Sequence, residues 1–437
     1  MGLALFERGR PVLAVAQGDA VTGDTPFRWG SITKTFTALG LLRLVEQGKL
    51  TLEQPLREVI SPGSFTNPWQ RSHPITLAHL LELSAGFSDL SALEFNHNEP
   101  LTLQAALALN PGSRRALWPP GLQHSYSNST PGLTAAAIEA VTGERFESFI
   151  QAQVLRPLGM ANASLEPVPG LPGGFKADGK TPIPYWHMTF RSFGALNASV
   201  KEMAGFISVL LNKGYAPSVN PTQTDVAPIL SQATMRRLFR AHTGLAGQQR
   251  LPVSYGAGSY GWVSHGHVFY GHGGDADGYR SRYGLLPRSG RGYLIVINVD
   301  NQPLLKRMQQ EIEAFLTHDL PPSAALPAAK PGNLSQYAGT YYPASTRFAV
   351  ESWQSGAAPR ATVRIVGHEL RFSWQSTETR LIPAPAPGQF RRPGDPLATV
   401  VFARDAGGSL FLQGQLGNFF SLNSAPCPGF IEVCVKQ

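Results

Sequence analysis

The residues most able to do chemistry are Ser31 and Lys34, which are three positions apart in Ser31-Ile-Thr-Lys34. Apolar residues then recur at helical spacing and Gly48 ends the pattern, so a helix is predicted from Ser31 to Gln47. Residues i and i+3 share one helix face, roughly 5–6 Å apart at Cβ, so the two side chains would meet. A lysine whose pKa is lowered by burial can take the proton of a serine nucleophile. The alternative is a serine N-cap beside a solvated lysine, and the spacing alone favours neither.

A second motif, Tyr126-Ser-Asn128, lies in a predicted loop before a helix over 132–141. The phenol of Tyr126 can share protons with a serine and a lysine. The amide of Asn128 can bind both a lysine and a substrate carbonyl. On its own, such a segment is more often a loop that caps a helix, so its value lies in its combination with the serine and lysine.

A third motif, His272-Gly273-Gly274-Asp275, falls on a predicted strand. Glycines inside a strand often mark the close approach of another backbone or of a ligand. His272 could hydrogen-bond a substrate or carry a proton. The backbone N–H of Asp275 could join that of Ser31 as an oxyanion hole. The alternative is a turn histidine on a surface hairpin.

The elements that must position these motifs fall into two groups. Strands come first and last in residues 1–318 and helices lie between them, which predicts an antiparallel sheet flanked by helices with an inserted helical lobe, an α/β (α+β) fold. Residues 319–333 are rich in Pro and Ala and predict a linker. Residues 334–437 contain only short strand patterns and predict a small all-β barrel or sandwich.

The strand and helix boundaries follow from the period of the apolar residues. Helices are also predicted from Thr76 to Leu83, from Ser199 to Leu211 behind a capping box, and from Pro303 to Leu316. Strands are predicted over 3–6, 11–16, 253–262, 268–271, 279–286 and 293–298, and in the last part of the chain over 339–342, 361–366, 370–374, 399–403 and 410–413.

The composition, 42% hydrophobic and 15% charged, is that of a globular protein. The net charge of +8 comes from dispersed residues without a nucleic-acid motif, so we predict a solvated basic surface and no nucleic-acid partner. No apolar run of about 18 residues occurs, so no transmembrane helix is predicted. The compartment stays open: periplasmic or secreted if an export signal precedes this sequence, cytoplasmic otherwise.

The two cysteines, Cys427 and Cys434, lie near the end of the sequence. Their spacing permits either a disulfide in an exported protein or two free thiols. No further Cys or His lies near them to complete four zinc ligands. We therefore predict no metal and no other cofactor.

The order Ser-x-x-Lys, Tyr-x-Asn and His-x-Gly resembles the serine β-lactamase-like and penicillin-binding protein superfamily, most closely its class C branch of family VIII esterases and D-aminopeptidases. Residues 74–86, PITLAHLLELSAG, are similar to that family's "IT..HLL.HTSG" segment. The resemblance spans about residues 1–317 and implies a β-lactamase-like fold. Residues 334–341, LSQYAGTY, resemble the opening of the lipocalin-like β domain that often follows such hydrolases.

The resemblance implies a role for each motif residue. Lactamases of this type usually carry Lys-Thr-Gly in the third motif, whereas His-Gly-Gly here supplies no lysine to hold a substrate carboxylate. By position, Ser31 would be the acylated nucleophile, Lys34 the base, Tyr126 the proton mediator and Asn128 a substrate contact, with His272, Gly273 and Gly274 as the strand against which substrate lies.

We therefore expect a serine hydrolase acting on a small ester, amide or peptide, of the carboxylesterase or D-specific peptidase type, with at most weak β-lactamase activity. The rival activities within this class are β-lactamase and D-Ala carboxypeptidase. A rival of another class is a non-catalytic binder or regulator of peptidoglycan-type ligands. The sequence leaves the oligomeric state open.

Overall fold

The computed structural model describes residues 1–61, 63–216, 228–330, 332–347 and 360–421. Two bodies follow each other along the chain. The strands of the first body are β1 (Gly2–Glu7), β2 (Arg10–Ala16), β3 (Pro26–Arg28), β4 (Asn96–His97), β5 (Gly174–Phe175), β6 (Pro182–Ile183), β7 (His187–Met188), β8 (Asn197–Ser199), β9 (Tyr260–Ser264), β10 (His267–Ala276), β11 (Tyr279–Leu286) and β12 (Arg291–Ile297). Its α-helices are α1 (Thr33–Glu46), α2 (Leu77–Leu81), α3 (Leu103–Leu109), α4 (Ser129–Thr142), α5 (Phe146–Ile150), α6 (Val200–Leu211), α7 (Gln232–Phe239), α8 (Gly244–Gln248) and α9 (Gln302–Thr317).

The main sheet of the first body is antiparallel and has six strands in the order β2-β1-β12-β11-β10-β9. The first strand pairs with the last, with Gly2 opposite Val296 and Phe6 opposite Gly292. The sheet is thus built from both ends of the body and the helical lobe lies between them in sequence, which confirms the predicted architecture.

Helices cover both faces of this sheet. Along β12, Leu294 and Val296 belong to the core cluster that contains α1 and α6. The alternate residues, including Tyr293 and Ile295, pack with Leu305 of α9 on the other face. This period of two explains why β12 is an almost continuous apolar run. No helix in the described part of the chain combines the length and hydropathy that a membrane crossing needs.

Two predicted elements need correction. The helix predicted from Ser31 begins with a 3₁₀ turn, Gly30–Ile32, and becomes α-helical at Thr33. The strand predicted over 253–262 is wrong in its first part, because β9 begins only at Tyr260. Gly258 has φ +79° there and a Cβ on it would lie 2.7 Å from the Lys34 carbonyl oxygen, so the chain bends tightly against α1.

The second body is a closed antiparallel barrel. Small barrels fill their interior with side chains of alternate residues, and Ala361, Val363 and Phe372 belong to such a core. Its strands are β13 (Gly339–Pro343), β14 (Ala361–Val366), β15 (Glu369–Trp374), β16 (Thr377–Pro383), β17 (Gln389–Arg391), β18 (Val400–Arg404), β19 (Leu410–Gly414) and β20 (Gly417–Ser421). The barrel confirms one of the two predicted architectures, and β16, β17 and β20 were not predicted.

The segment between the two bodies, over residues 321–330, contains neither helix nor strand. It runs along the barrel, where the Leu326 N–H donates to the Pro396 carbonyl at 2.8 Å. The division of the chain at 318 and 334 stays a prediction. Cys427 and Cys434 lie outside the described residues.

The barrel packs directly on the first body. Trp118 of the first body makes edge-to-face contacts with Phe411 and Phe420 of the barrel, at ring-centroid distances of 5.8 and 5.5 Å. Gln413 accepts from the Ala246 N–H at 2.9 Å and donates to the Leu122 carbonyl at 3.1 Å. The contact therefore lies next to the loop that carries Tyr126.

Candidate active site

Ser31 and Lys34 meet where the 3₁₀ turn passes into α1. Lys34 Nζ lies 2.9 Å from Ser31 Oγ. Lys34 is only 3% exposed, and its Nζ lies 5.4 Å from the centre of the Phe193 ring. The i, i+3 spacing therefore brings the two side chains together, and the alternative of a solvated lysine is wrong.

The other contacts of Lys34 fix the direction of its amine. Nζ donates to Asn128 Oδ1 at 2.7 Å and to the Phe193 carbonyl at 2.9 Å. These two oxygens can only accept, so two N–H bonds point away from the serine. The remaining direction faces Ser31 Oγ, and in the neutral amine it carries the lone pair that can accept the serine proton.

The surroundings of Lys34 favour that neutral amine. Burial lowers the pKa of Lys34 well below its ordinary value, because the charged form loses its hydration. The carboxylates of Asp89 and Asp275 act in the opposite direction and the guanidinium of Arg347 adds to the lowering of this pKa. Burial is the largest effect, so the base character expected of Lys34 has a physical cause.

Tyr126 covers the same pair from the loop before α4. Its hydroxyl is hydrogen-bonded to Ser31, and burial raises the pKa of this phenol above its ordinary value. Lys34 Nζ lies 4.8 Å from the centre of the Tyr126 ring. The phenol thus lies next to both members of the pair and stays protonated at neutral pH.

Asn128 is oriented by a residue that the sequence analysis missed. Asp89 Oδ1 accepts from the Asn128 backbone N–H at 2.8 Å and Asp89 Oδ2 accepts from Asn128 Nδ2 at 3.1 Å. Because the carboxylate holds the amide nitrogen, the amide oxygen turns toward Lys34. No spacing signal links the two residues, since Asp89 lies far upstream of the motif.

The third motif forms the opposite wall through its backbone. A Cβ on Gly274 would lie 1.9 Å from the Trp29 carbonyl oxygen, and a Cβ on Gly30 would lie 2.6 Å from the Asp275 nitrogen. β10 therefore touches the turn that carries Ser31, which brings the Asp275 N–H to the region predicted for the oxyanion hole. The Asp275 carboxylate itself pairs with Arg280 at 2.6 Å.

His272 is buried, at 2% exposure, so the alternative of a surface turn histidine is wrong. Its Nδ1 contacts the Gly273 carbonyl, which only accepts, so this nitrogen carries the hydrogen. Its Nε2 then accepts from the Tyr255 hydroxyl at 2.8 Å. Burial lowers the pKa of His272 to about 3. His272 is therefore a neutral part of the wall with both ring nitrogens engaged by the protein.

Further aromatic side chains line this wall and were not predicted as site residues. His124 stacks on Tyr255, with ring centroids 5.0 Å apart, and Tyr260 lies edge-on to His272 at 5.3 Å. Burial lowers the pKa of His124 to about 4, and its Nε2 has no hydrogen-bond partner among the described residues. His124 stands in the same loop motif as Tyr126, which could have drawn attention to it.

A cavity of about 1030 Å³ joins these parts. It is lined by Ser31, Tyr126, Asn128 and residues 272–275, so every predicted site residue borders it except Lys34, which lies behind the serine. Arg347 and Asn418 of the barrel also line it, so the cavity lies between the two bodies. Within the described ranges, no group of three or more His, Cys, Asp or Glu side chains could hold a metal ion.

Comparisons with known proteins show the family of the chain. The Beta-lactamase family model matches residues 1–314. Penicillin-binding protein 4 of Amycolatopsis lactamdurans is 24% identical over 65% of this chain and 75% of its own length. D-alanyl-D-alanine-carboxypeptidase/endopeptidase AmpH of Escherichia coli is 29% identical over 33% of this chain and 38% of its own. Esterase EstB of Burkholderia gladioli is 30% identical over 36% of this chain and 41% of its own length.

Solved structures share the fold. The octameric penicillin-binding protein homologue from Pyrococcus abyssi superposes with a TM-score of 0.59 at 20% identity, over 96% of this chain and 95% of that one. The D-stereospecific amidohydrolase from Streptomyces sp. superposes with a TM-score of 0.54 at 20% identity, over 72% of this chain and 92% of that one. The first match extends through both bodies. With the family model covering residues 1–314 of 437, the chain belongs to the Beta-lactamase family, whose homologues are serine hydrolases.

Proposed function

We propose that this protein is a serine hydrolase that forms an acyl-enzyme on Ser31 and hydrolyses esters or small amides. One observation carries the proposal: the buried Lys34 amine lies 2.9 Å from Ser31 Oγ while two carbonyl oxygens hold its other hydrogens. A neutral amine in this position can accept the serine proton.

Acylation would begin when Ser31 Oγ attacks the substrate carbonyl and its proton passes to Lys34. The Oγ–C bond forms, and the negative charge on the carbonyl oxygen is stabilised by the N–H groups of Ser31 and Asp275. The C–O or C–N bond of the leaving group then breaks. Its proton comes from Lys34 through the Tyr126 hydroxyl, which is hydrogen-bonded to Ser31.

Deacylation would use water as the second nucleophile. As the water oxygen attacks the acyl carbon, water would give a proton to the Tyr126 hydroxyl while that hydroxyl gives its own proton to the neutral Lys34 amine, which later returns it to Ser31 Oγ. The ester bond to Ser31 breaks, the serine regains its proton, and a carboxylic acid leaves. Asn128 borders the cavity and would contact the acyl group from the side of the loop.

Three observations support the proposed substrate class. A neutral His272 stands where lactamases of this type usually carry a lysine, so the third motif supplies no cation for a lactam carboxylate. Esterase EstB and the D-stereospecific amidohydrolase, by their names, act on an ester and a D-configured amide. A cavity of about 1030 Å³ is at the large end of small-molecule sites and fits a short peptide or a bulky ester. We therefore place carboxylesterase or D-specific peptidase activity ahead of β-lactamase activity.

The test combines a fluorophosphonate probe with three substrate classes. Wild-type protein should be labelled on Ser31 and should turn over p-nitrophenyl esters or D-amino-acid amides faster than nitrocefin. Ser31→Ala should lose both labelling and turnover. Ser254→Ala is the matched control, because Ser254 borders the same cavity but its hydroxyl donates to the Leu251 carbonyl at 2.9 Å. Full activity of Ser31→Ala would refute the mechanism.

A non-catalytic binder of peptidoglycan-type ligands is the rival of another class. It predicts no labelling of Ser31 and a stable complex with ligand from which no product appears over hours. The buried lysine with a lowered pKa argues against this rival, because burying a lysine lowers the free energy of unfolding and a site that only binds ligand does not need a base.

A further inference from the structure

The chain leaving the first barrel strand reaches into the active-site loop of the first body. The Ala344 carbonyl accepts from Gln123 Nε2 at 2.7 Å. The Thr346 N–H donates to Ser125 Oγ at 3.1 Å. Both partners flank His124 in the motif that ends with Tyr126 and Asn128. Residues 344–347, here called the barrel arm, are therefore docked against the catalytic loop by buried hydrogen bonds.

Arg347, the last residue of the barrel arm, contacts two groups of the site. Its guanidinium carbon lies 4.7 Å from the centre of the Tyr126 ring. Its Nε lies 2.9 Å from Asp89 Oδ2, and the two side chains are 31% and 10% exposed. A guanidinium stacked on an aromatic ring and paired with a carboxylate holds both partners in a fixed relative position.

A continuous series of contacts leads from the barrel to the nucleophile. Arg347 pairs with Asp89, Asp89 holds both nitrogens of Asn128, and Asn128 accepts from Lys34. Lys34 in turn contacts Ser31. Each step is a direct contact of 3.1 Å or less, so a displacement of Arg347 changes the support of the lysine.

We propose that Arg347 is a positioning residue of the catalytic centre, which the barrel supplies to hold Tyr126 and the Asp89–Asn128 pair against Lys34. This inference rests on the proposed acylation of Ser31. It gives the barrel a role in the chemistry of the first body, in addition to closing the cavity.

The charges around Lys34 give the proposal a pH signature. Asp89 and Asp275 raise the pKa of Lys34 and Arg347 lowers it, while burial has the largest effect and also lowers it. The remaining ionisable neighbours, Tyr126 and His272, are neutral near pH 7 because burial raises the pKa of the phenol and lowers that of the imidazole.

Loss of the guanidinium leaves Asp89 uncompensated, so the pKa of Lys34 rises. The acylation rate falls at low pH as Lys34 becomes protonated, and this fall is called the acid limb of the pH profile. Because the neutral amine is the active form, a higher pKa of Lys34 moves the acid limb to higher pH. Loss of the Asp89 charge lowers the pKa of Lys34 and moves the limb in the opposite direction.

The experiment measures the rate of Ser31 labelling by a fluorophosphonate from pH 5 to 10 on the full chain. Arg347→Met should slow labelling at pH 7 by about tenfold to a hundredfold and move the acid limb upward. Arg347→Lys should recover most of the limb position, since the charge remains. Asp89→Asn should move the limb downward. The control is Arg360→Met. Arg360, like Arg347, lies over a tyrosine ring, but that ring is Tyr342 of the barrel, at 5.7 Å, so this variant should be labelled like wild type.

The outcomes separate this inference from the proposed function. If wild type and Arg347→Met are labelled at equal rates and their acid limbs lie at the same pH, the proposed role of Arg347 is wrong. The assignment of Ser31 as the nucleophile would still stand. Absence of labelling in wild type would remove both. If Arg347→Met fails to fold, Arg347→Lys and Asp89→Asn decide. A limb that stays at the wild-type pH in Asp89→Asn, or that leaves it in Arg347→Lys by as much as in Asp89→Asn, would contradict the proposal.

Discussion

The two sides of the active-site cleft are held by different kinds of contact. On the nucleophile side, Ser31 and Lys34 meet because a helix brings residues three apart together. On the wall side, β10 approaches the serine turn backbone to backbone, in space that Gly274 and Gly30 leave open. The first side depends on which side chains are present and the second on where side chains are missing.

Because of this difference, substitutions on the two sides should fail for different reasons. A substitution on the nucleophile side removes a functional group and leaves the cleft in shape. A substitution on the wall side leaves every functional group in place and moves the oxyanion donor away from the serine. The variants below test that distinction in order of decreasing effect.

Lys34→Met should lower the rate of Ser31 acylation by about 10²–10⁴, the usual contribution of general acid–base catalysis. The side chain keeps similar length and loses the amine that accepts the serine proton. Its acid limb should vanish from the pH profile, because the titrating group is gone. A rate within tenfold of wild type, in a protein with an unchanged melting temperature, would show that another group takes the proton.

Gly274→Ala should give the next largest effect, a loss of about 10²-fold in acylation rate together with about 1–3 kcal/mol of stability. The added Cβ would meet the Trp29 carbonyl at 1.9 Å, so β10 and the serine turn must separate.

Gly273→Ala is the matched control within the same triplet. There the atom nearest to the Cβ would be Arg282 Nη2, at 3.1 Å, which is the end of a flexible side chain, and the next neighbours would lie at 3.6 Å. We expect a melting temperature near that of wild type, because β10 and the serine turn need not separate. Equal losses of stability in both alanine variants would mean that the triplet matters for backbone flexibility and not for close approach.

The smallest effect concerns the buried histidines. Burial lowers the pKa of His124 and His79 to about 4, against an unfolded value near 6.5. Between these values the unfolded chain binds more protons, so the free energy of unfolding falls as pH decreases from about 6.5 to about 4. Each histidine contributes up to about 1.4 kcal/mol per pH unit.

Urea unfolding of wild type and His124→Phe at pH 7 and pH 5 measures this slope. The variant keeps an aromatic ring to stack on Tyr255 and loses the titration, so its loss of stability on acidification should be smaller. An equal loss in both proteins would contradict the assignment of that proton uptake to His124.

The sequence predicted the nucleophile side more completely than the wall side. Ser31 and Lys34 are close in the chain, so helical spacing predicted that their side chains could meet, and the other two motifs then favoured catalysis over a solvated lysine. The three motifs in order resemble the β-lactamase-like superfamily, and that resemblance implied the roles of Tyr126, Asn128 and the glycine-bearing strand. Local structure alone left each of these motifs with an ordinary alternative.

Asp89 and Arg347 could not be predicted because they act through contacts with residues distant in sequence.

Two of the barrel strands that were not predicted have weak sequence patterns. Strand β17 has three residues, and β16 is exposed over most of its first half, so neither has a clear apolar alternation. Their pairing comes from closure of the barrel, which supplies partners on both sides. Such elements depend on tertiary structure and leave a weak pattern in the sequence.

The hydrophobic cluster between the two bodies has a consequence for how this chain can change. Trp118 and Leu245 of the first body are buried with Ala344, Phe411 and Phe420, which follow the linker. A barrel exchanged for an unrelated one would leave that apolar surface in water, at a cost of roughly 25 cal/mol for each Å² exposed. The barrel is therefore not an interchangeable module, and the two bodies must diversify as a matched pair.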